Sequence, residues 1–391
     1  MTAQTSAALL SAPLSPEAAG AHAAAGALTA SAVGAVGLEL ELHLVDLSRP
    51  ARRASWPALQ ALLDDVPPLP FGSSITTEPG GQLELSTPAQ PNVIDAIAAL
   101  QADEHILRQS VGAAGFGLAS VGADPVRPLD RVNPAPRYLA MEQHFDAVGC
   151  GAAGLAMMAS TAALQINLNA GASAVWADRV AHIHRLGPAL VAMSACSPLL
   201  AGQSSGWRSM RQQAWAGIDA ARTQEVPASV DPARDWAAFA LAAPVMMVRA
   251  GSGARACRER FSFAEWAAGT APVERPPTVD DLDYHLSTLF PPVRMRGYLE
   301  LRFLDAVPDR WWPALTAAVV TLIDDPVAAD RAADACACLD GAWVAAARTG
   351  LGDPVIHTAV LGCLDIAARR CPPELRGQVE AYAELVARGR T

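Results

Sequence analysis

The chain contains no lysine in 391 residues, so every cationic task falls to its 29 arginines. Arginine keeps its charge when buried and grips a carboxylate or phosphate with two parallel hydrogen bonds. The same absence excludes a Gly-x-x-x-x-Gly-Lys-Ser/Thr phosphate loop. Seven cysteines, at 150, 196, 257, 336, 338, 363 and 371, are odd in number and lack zinc-type or thioredoxin-type spacing, which makes a reduced, cytoplasmic compartment the default expectation. Cys336 and Cys338 read as small buried residues of a helix. A net charge of −10 excludes recognition of nucleic acid through a broad basic surface. No uninterrupted apolar run is long enough to span a membrane, because the charge-free stretches 147–170 and 186–203 are broken by Gly, Ser, Gln, Asn or Pro. Residues 1–30, rich in Ala, Ser and Pro, lack a basic cluster followed by a compact apolar core. They read as a flexible extension rather than a signal peptide, ahead of one domain over 31–391 whose part from about 309 onward is helical.

What the chain has instead is alternation. In Val36–Val45 the leucines occupy one parity, and Glu39, Glu41 and His43 the other. A period of two is that of a β-strand, which sends both acids from one face with Cα atoms about 7 Å apart. Three later segments repeat the pattern. After a Pro-Gly-Gly turn that follows Glu78, Gln82, Glu84 and Ser86 alternate with Leu83 and Leu85; Gln165, Asn167 and Asn169 alternate with Leu164, Ile166 and Leu168; Glu300 and Arg302 alternate with Leu299, Leu301 and Phe303.

Between these strands the spacing predicts helices. Asn92 caps one whose buried stripe is Ile94, Ile97, Leu100, Leu107 and Val111, and that stripe covers the apolar side of the sheet. Another starts near Tyr138 and carries His144, which suits a site residue and a helix-surface histidine equally. The 202–215 segment joins Arg208 and Arg211 to Trp207 and Trp215; this suits recognition of a small anion, and equally an ordinary amphipathic helix. A strand over 245–248, a Gly-rich turn at 251–253 and a helix near Trp266 follow.

If the four polar strand faces adjoin, their acids repel one another unless divalent cations neutralise them. Oxygen ligands without a Cys/His set select Mg²⁺ or Mn²⁺, and magnesium takes phosphate oxygens as co-ligands, which points to a nucleoside triphosphate. The residues alone therefore read as a metal-dependent phosphoryl-transfer enzyme of unspecified substrate.

Five stretches taken together are more specific. Gly37-Leu-Glu39-Leu-Glu41, Glu78-Pro-Gly-Gly-Gln-Leu-Glu84-Leu-Ser, Leu164-Gln165-Ile-Asn167-Leu, Ser209-Met-Arg211 with Trp215, and His285 to Arg302 occur in the order found in the glutamate-cysteine ligases. Over roughly 33–325 the chain resembles the plant-type members and the bacterial relatives that open ergothioneine biosynthesis. The resemblance implies an α+β, glutamine-synthetase-like fold, with a curved, largely antiparallel sheet and helices on its outer face. It implies ATP, L-glutamate and L-cysteine as substrates. Glu39, Glu41, Glu78, Glu84 and Glu300 become magnesium ligands by the same likeness. Arg302, with Glu300, acts at the transferring phosphoryl group; Gln165 and Asn167 face the nucleotide phosphates; Arg211 and Trp215 receive glutamate. Smaller residues than in the plant enzymes precede Gln165.

Overall fold

The computed structural model describes residues 12–204, 206–251 and 253–391. Residues 1–11 of the expected extension, and Ser252 in the expected 251–253 turn, lie outside the described residues. Seven strands form one sheet: β1 (Val36–Asp46), β2 (Ser74–Thr77), β3 (Leu83–Ser86), β4 (Phe116–Ala119), β5 (Ala163–Leu168), β6 (Val293–Met295) and β7 (Leu299–Asp305). Their order is β6-β7-β5-β1-β3-β2, with β4 on the far half of β1, and every ladder is antiparallel. The four alternating segments are thus neighbours, with β5 and β1 at the centre.

Alternation determines what each face does. Leu38, Leu40, Leu42, Leu83, Leu85, Leu164, Ile166, Leu168, Leu299 and Leu301 are fully buried on one side. Helices cover them. The Val93–Ala113 helix is capped by Asn92, whose side chain accepts from Asp95 N at 2.9 Å, and it places Ile97, Leu100, Leu107 and Val111 in the same core. The Trp176–Ser194, Trp312–Asp324, Pro354–Arg370 and Pro373–Ala387 helices share that core, so the helical C-terminal part is continuous with the sheet's packing.

Three sequence expectations change. Residues 16–27 are not loose: Pro16–Ala27 is a helix capped by Ser15, with Ala19, Ala23 and Ala27 buried. Alanine gives a short helix a face thin enough to pack closely, and this pattern carries little hydropathic signal. His144 is neither at a site nor on a surface. It is buried, its Nδ1 lies 2.7 Å from the Cys257 carbonyl, and burial pushes its pKa down to about 4. Cys336 is buried, with its Sγ 3.5 Å from that of Cys363, whereas Cys338 is exposed.

Candidate active site

On the other face of the sheet the acids meet. Cross-strand register sets Glu41 opposite Glu84, Glu39 between Ser86 and Gln165, and Asn167 opposite Glu300, which in turn faces Arg294. Glu78 enters from the β2–β3 turn. There Gly80 passes so close to the neighbouring helix that a Cβ would lie 2.0 Å from the Ala159 carbonyl oxygen, so only glycine lets the turn bring Glu78 inward. One cavity is lined by Glu39, Glu41, Glu78, Glu84, Gln165, Trp215 and Arg302. Tyr138, Met141, Met157, Met158 and Phe290 wall it, and Arg137, Arg294 and Arg296 add positive charge.

The amides act as spacers between like charges. Gln165 Nε2 donates to Glu41 at 3.0 Å and to Glu84 at 3.4 Å, while its Oε1 accepts from Arg302 Nη1 at 2.5 Å. Asn167 Nδ2 donates to Glu39 at 2.9 Å, and its buried Oδ1 has no partner among the described residues. Donors are nevertheless too few. Burial, then repulsion by Glu84, raises the pKa of Glu41 to about 7; burial, then Glu41, raises that of Glu78 well above the carboxylate range; and burial, then Glu300, raises that of Glu39. Such crowding of oxygen donors fits a hard divalent cation. Among the described residues, no three acids or histidines already stand close enough together to hold one.

Glu300, expected as a magnesium ligand, is placed differently. It is fully buried beneath the cavity; Arg294 holds it through Nε on one oxygen and through Nη2 at 2.9 Å on the other, with Arg302 Nη1 at 3.3 Å and Arg296 Nη1 at 3.7 Å. Although burial alone would raise its pKa, Arg302 and Arg294 hold it down, to about 2. A cation approaching Glu300 would meet three guanidinium groups first. In this structure Glu300 anchors arginines.

Arg302 owes its position to an irregular strand. Between Leu301 and Leu304 two residues of β7, Arg302 and Phe303, oppose the single Gln165 of β5, so they occupy a bulge. The backbone groups it frees are taken by other partners: Arg302 N donates to Pro292 O at 2.9 Å, Arg211 Nη2 to Arg302 O at 2.5 Å and Gln212 Nε2 to Phe303 O at 2.6 Å. Arg211 and Trp215 share the Met210–Ala216 helix. The Arg211 guanidinium lies 5.5 Å from the Trp215 ring and that of Arg302 6.0 Å from it. Arg211 does not line the acidic cavity. It lines an adjoining aromatic one that shares Trp215, Phe290 and Arg302 with it.

Asp305, at the end of β7, carries no sequence signal of its own yet ties this helix down. Its buried carboxylate accepts from Ser197 Oγ at 2.6 Å, Ser209 Oγ at 2.7 Å and Cys196 N at 3.2 Å, and Ser209 is the helix N-cap, accepting from Gln212 N. Space for it exists because Gly122 has no side chain: a Cβ there would lie 2.4 Å from the carboxyl carbon. Asp305→Ala is expected to cost about 3 kcal/mol by orphaning two hydroxyls and an amide. Urea unfolding measures this, and a loss below about 1 kcal/mol would show that the anchor is dispensable.

Known proteins resemble this chain in sequence and in fold. The family described as glutamate-cysteine ligase family 2 (GCS2) matches residues 35–391. Glutamate-cysteine ligase EgtA of Mycolicibacterium smegmatis is 51% identical over 364 residues, covering 92% of this chain and 86% of that protein. Its namesake in Mycobacterium tuberculosis is 48% identical over 373 residues, covering 94% and 86%. At the level of fold, the crystal structure of a glutamate-cysteine ligase from Francisella tularensis in complex with AMP superposes with a TM-score of 0.55 at 13% identity, over 92% of this chain and 83% of that one. Sequence and architecture converge, and the chain belongs to glutamate-cysteine ligase family 2.

Proposed function

We propose that this chain ligates the γ-carboxylate of L-glutamate to the amine of L-cysteine at the expense of ATP, yielding γ-glutamylcysteine, ADP and phosphate as the first step of ergothioneine biosynthesis. The observation that carries this reading is the meeting of Glu39, Glu41, Glu78 and Glu84 with Arg302 on one polar sheet face, in a chain half identical to named ligases.

The reaction needs a γ-phosphoryl group moved to a carboxylate, then an amine to displace phosphate from the acyl phosphate. Negative charge grows on phosphoryl oxygens in the first step, and preorganised cationic donors stabilise it most where water is excluded. Arg302 meets that need: Gln165 and Glu300 fix its guanidinium, and its buried Nε has no partner among the described residues. Glu39, Glu41, Glu78 and Glu84 would hold Mg²⁺ or Mn²⁺; Glu300 could join them only by exchanging Arg294. The cation would supply Lewis-acid polarisation of the phosphate oxygens. Gln165 and Asn167 hold the acids apart by donating to Glu41, Glu84 and Glu39, and would serve the nucleotide phosphates by turning those amides once a cation takes over the carboxylates. Arg211 and Trp215 receive glutamate from the aromatic side, and the Met and Phe walls shield the acyl phosphate from water.

The test is ADP release with glutamate alone, cysteine alone and both. The expected result is slow release with glutamate and rapid release with both, with γ-glutamylcysteine formed in step with ADP. Release indifferent to both amino acids would mean a hydrolase; dependence on glutamate with indifference to cysteine would mean a ligase for a different amine.

A further inference from the structure

The aromatic cavity beside Arg302 has about 250 Å³ of open space. That is small against the roughly 300–1,000 Å³ of sites for drug-sized ligands, and suits one amino acid. Two charged ends face into it. Arg211 is only 2% exposed, yet its Nε and Nη1 have no hydrogen-bond partner among the described residues, which leaves two buried donors to offer a ligand. Trp215 Nε1 on the same helix is also buried and without a partner among the described residues. Glu225, just after the Ala220–Thr223 helix, is the one carboxylate among the cavity's described lining residues. Burial raises its pKa, with the Trp343 indole on the same cavity wall offsetting part of that rise, and a cationic partner would reverse it. A cavity with an open arginine, an acid and aromatic walls matches a zwitterion.

Resting on the ligase reading, we infer that Glu225 binds the α-ammonium group of glutamate, with Arg211 on the α-carboxylate, so that the side-chain carboxylate extends past Trp215 to Arg302. Two arguments favour glutamate over cysteine as the occupant. The cavity adjoins the acidic one at Arg302, Trp215 and Phe290, so a diacid anchored at Arg211 directs its far end toward the phosphoryl-transfer site. Chemistry gives the second: glutamate's amine is a spectator and stays charged, whereas the amine of cysteine must be unprotonated and free to attack. An ion pair with Glu225 would hold it inactive. Glu225 is therefore a specificity residue that reads an amine the reaction never touches.

The test uses the full-length enzyme with glutarate, which is glutamate without its amine, as a competitive inhibitor. In Glu225→Gln the KM for glutamate is expected to rise about thirtyfold or more. The Ki for glutarate should stay within about twofold, and the KM values for cysteine and ATP within about threefold. Glu225→Asp, which keeps the charge, should recover at least half of the loss on a logarithmic scale. A purely structural role would move glutamate and glutarate together, and that result would overturn the inference, as would a rise confined to the KM for cysteine. If instead the unsubstituted enzyme releases ADP without needing glutamate, the ligase reading itself fails. A ligase that needs both amino acids but is unmoved by Glu225→Gln removes only the role of Glu225.

Discussion

Arg302→Met is expected to lower kcat by about a thousandfold or more, the loss that follows when a fixed cationic donor to a developing oxyanion is removed. The geometry makes the effect larger than that of an ordinary surface arginine. Arg302 is held on Gln165 and Glu300, its backbone sits in the β7 bulge, and Arg211 clamps its carbonyl, so its charge is in place before substrate arrives. Arg302→Lys should also lose at least about a hundredfold, because an ammonium group cannot reproduce the planar fork that reaches two acceptors at once. Steady-state kcat at saturating ATP, glutamate, cysteine and Mg²⁺ checks both, with circular dichroism and a melting curve to show that the sheet is intact. Turnover within about fivefold of the unsubstituted enzyme would remove Arg302 from the phosphoryl-transfer step.

How much of this was legible depends on which physical rule carried the information. Alternation is strictly local, so the four strands, their polar faces and the gathering of Glu39, Glu41, Glu84, Gln165 and Asn167 followed from parity once the strands proved adjacent. The Asn92 cap was legible for the same local reason. Parity fails where a strand breaks period: the bulge at Arg302 and Phe303 has no composition cue, and it explains how Arg302 and Phe303, on opposite faces by simple alternation, both line the aromatic cavity. Charge pairing across strands was equally hidden. Glu300 read as one more acid in an acidic row, and only the β6–β7 register shows that Arg294 stands directly opposite and takes up its carboxylate. Asp305 was missed because its partners, Ser197 and Ser209, lie about a hundred residues away. The Pro16–Ala27 helix was missed because alanines report packing only once a neighbour is known.

Glu41→Gln should move activity and stability in opposite directions. In the metal-free protein burial, and then Glu84, raises the Glu41 pKa from 4.5 to about 7. A carboxyl raised in this way leaves stability intact below about pH 4.5, where it is protonated in both folded and unfolded chains. Stability then falls as pH rises toward 7, because the unfolded chain releases its proton first. Above pH 7 the folded protein bears a cost on the order of 3 kcal/mol for an ionised Glu41. Glutamine removes that charge while its amide oxygen can still accept from Ala163 N, which now donates to Glu41 at 2.8 Å; it gives up the bond from Gln165 Nε2, which keeps Glu84 as an acceptor. The substituted protein is therefore expected to melt several degrees higher at pH 8 in EDTA, and to lose this advantage near pH 5. Catalysis should suffer in return: the Mg²⁺ concentration for half-maximal rate should rise at least about tenfold and kcat fall about a hundredfold, as the site loses a charged oxygen donor. Adding Mg²⁺ with ATP should raise the melting temperature of the unsubstituted protein more than that of the variant, since only a bound ligand that prefers the folded site stabilises it. A variant that is less stable in EDTA at pH 8 would show that Glu41 is already compensated within the protein. Unchanged Mg²⁺ dependence would show that the cation binds elsewhere.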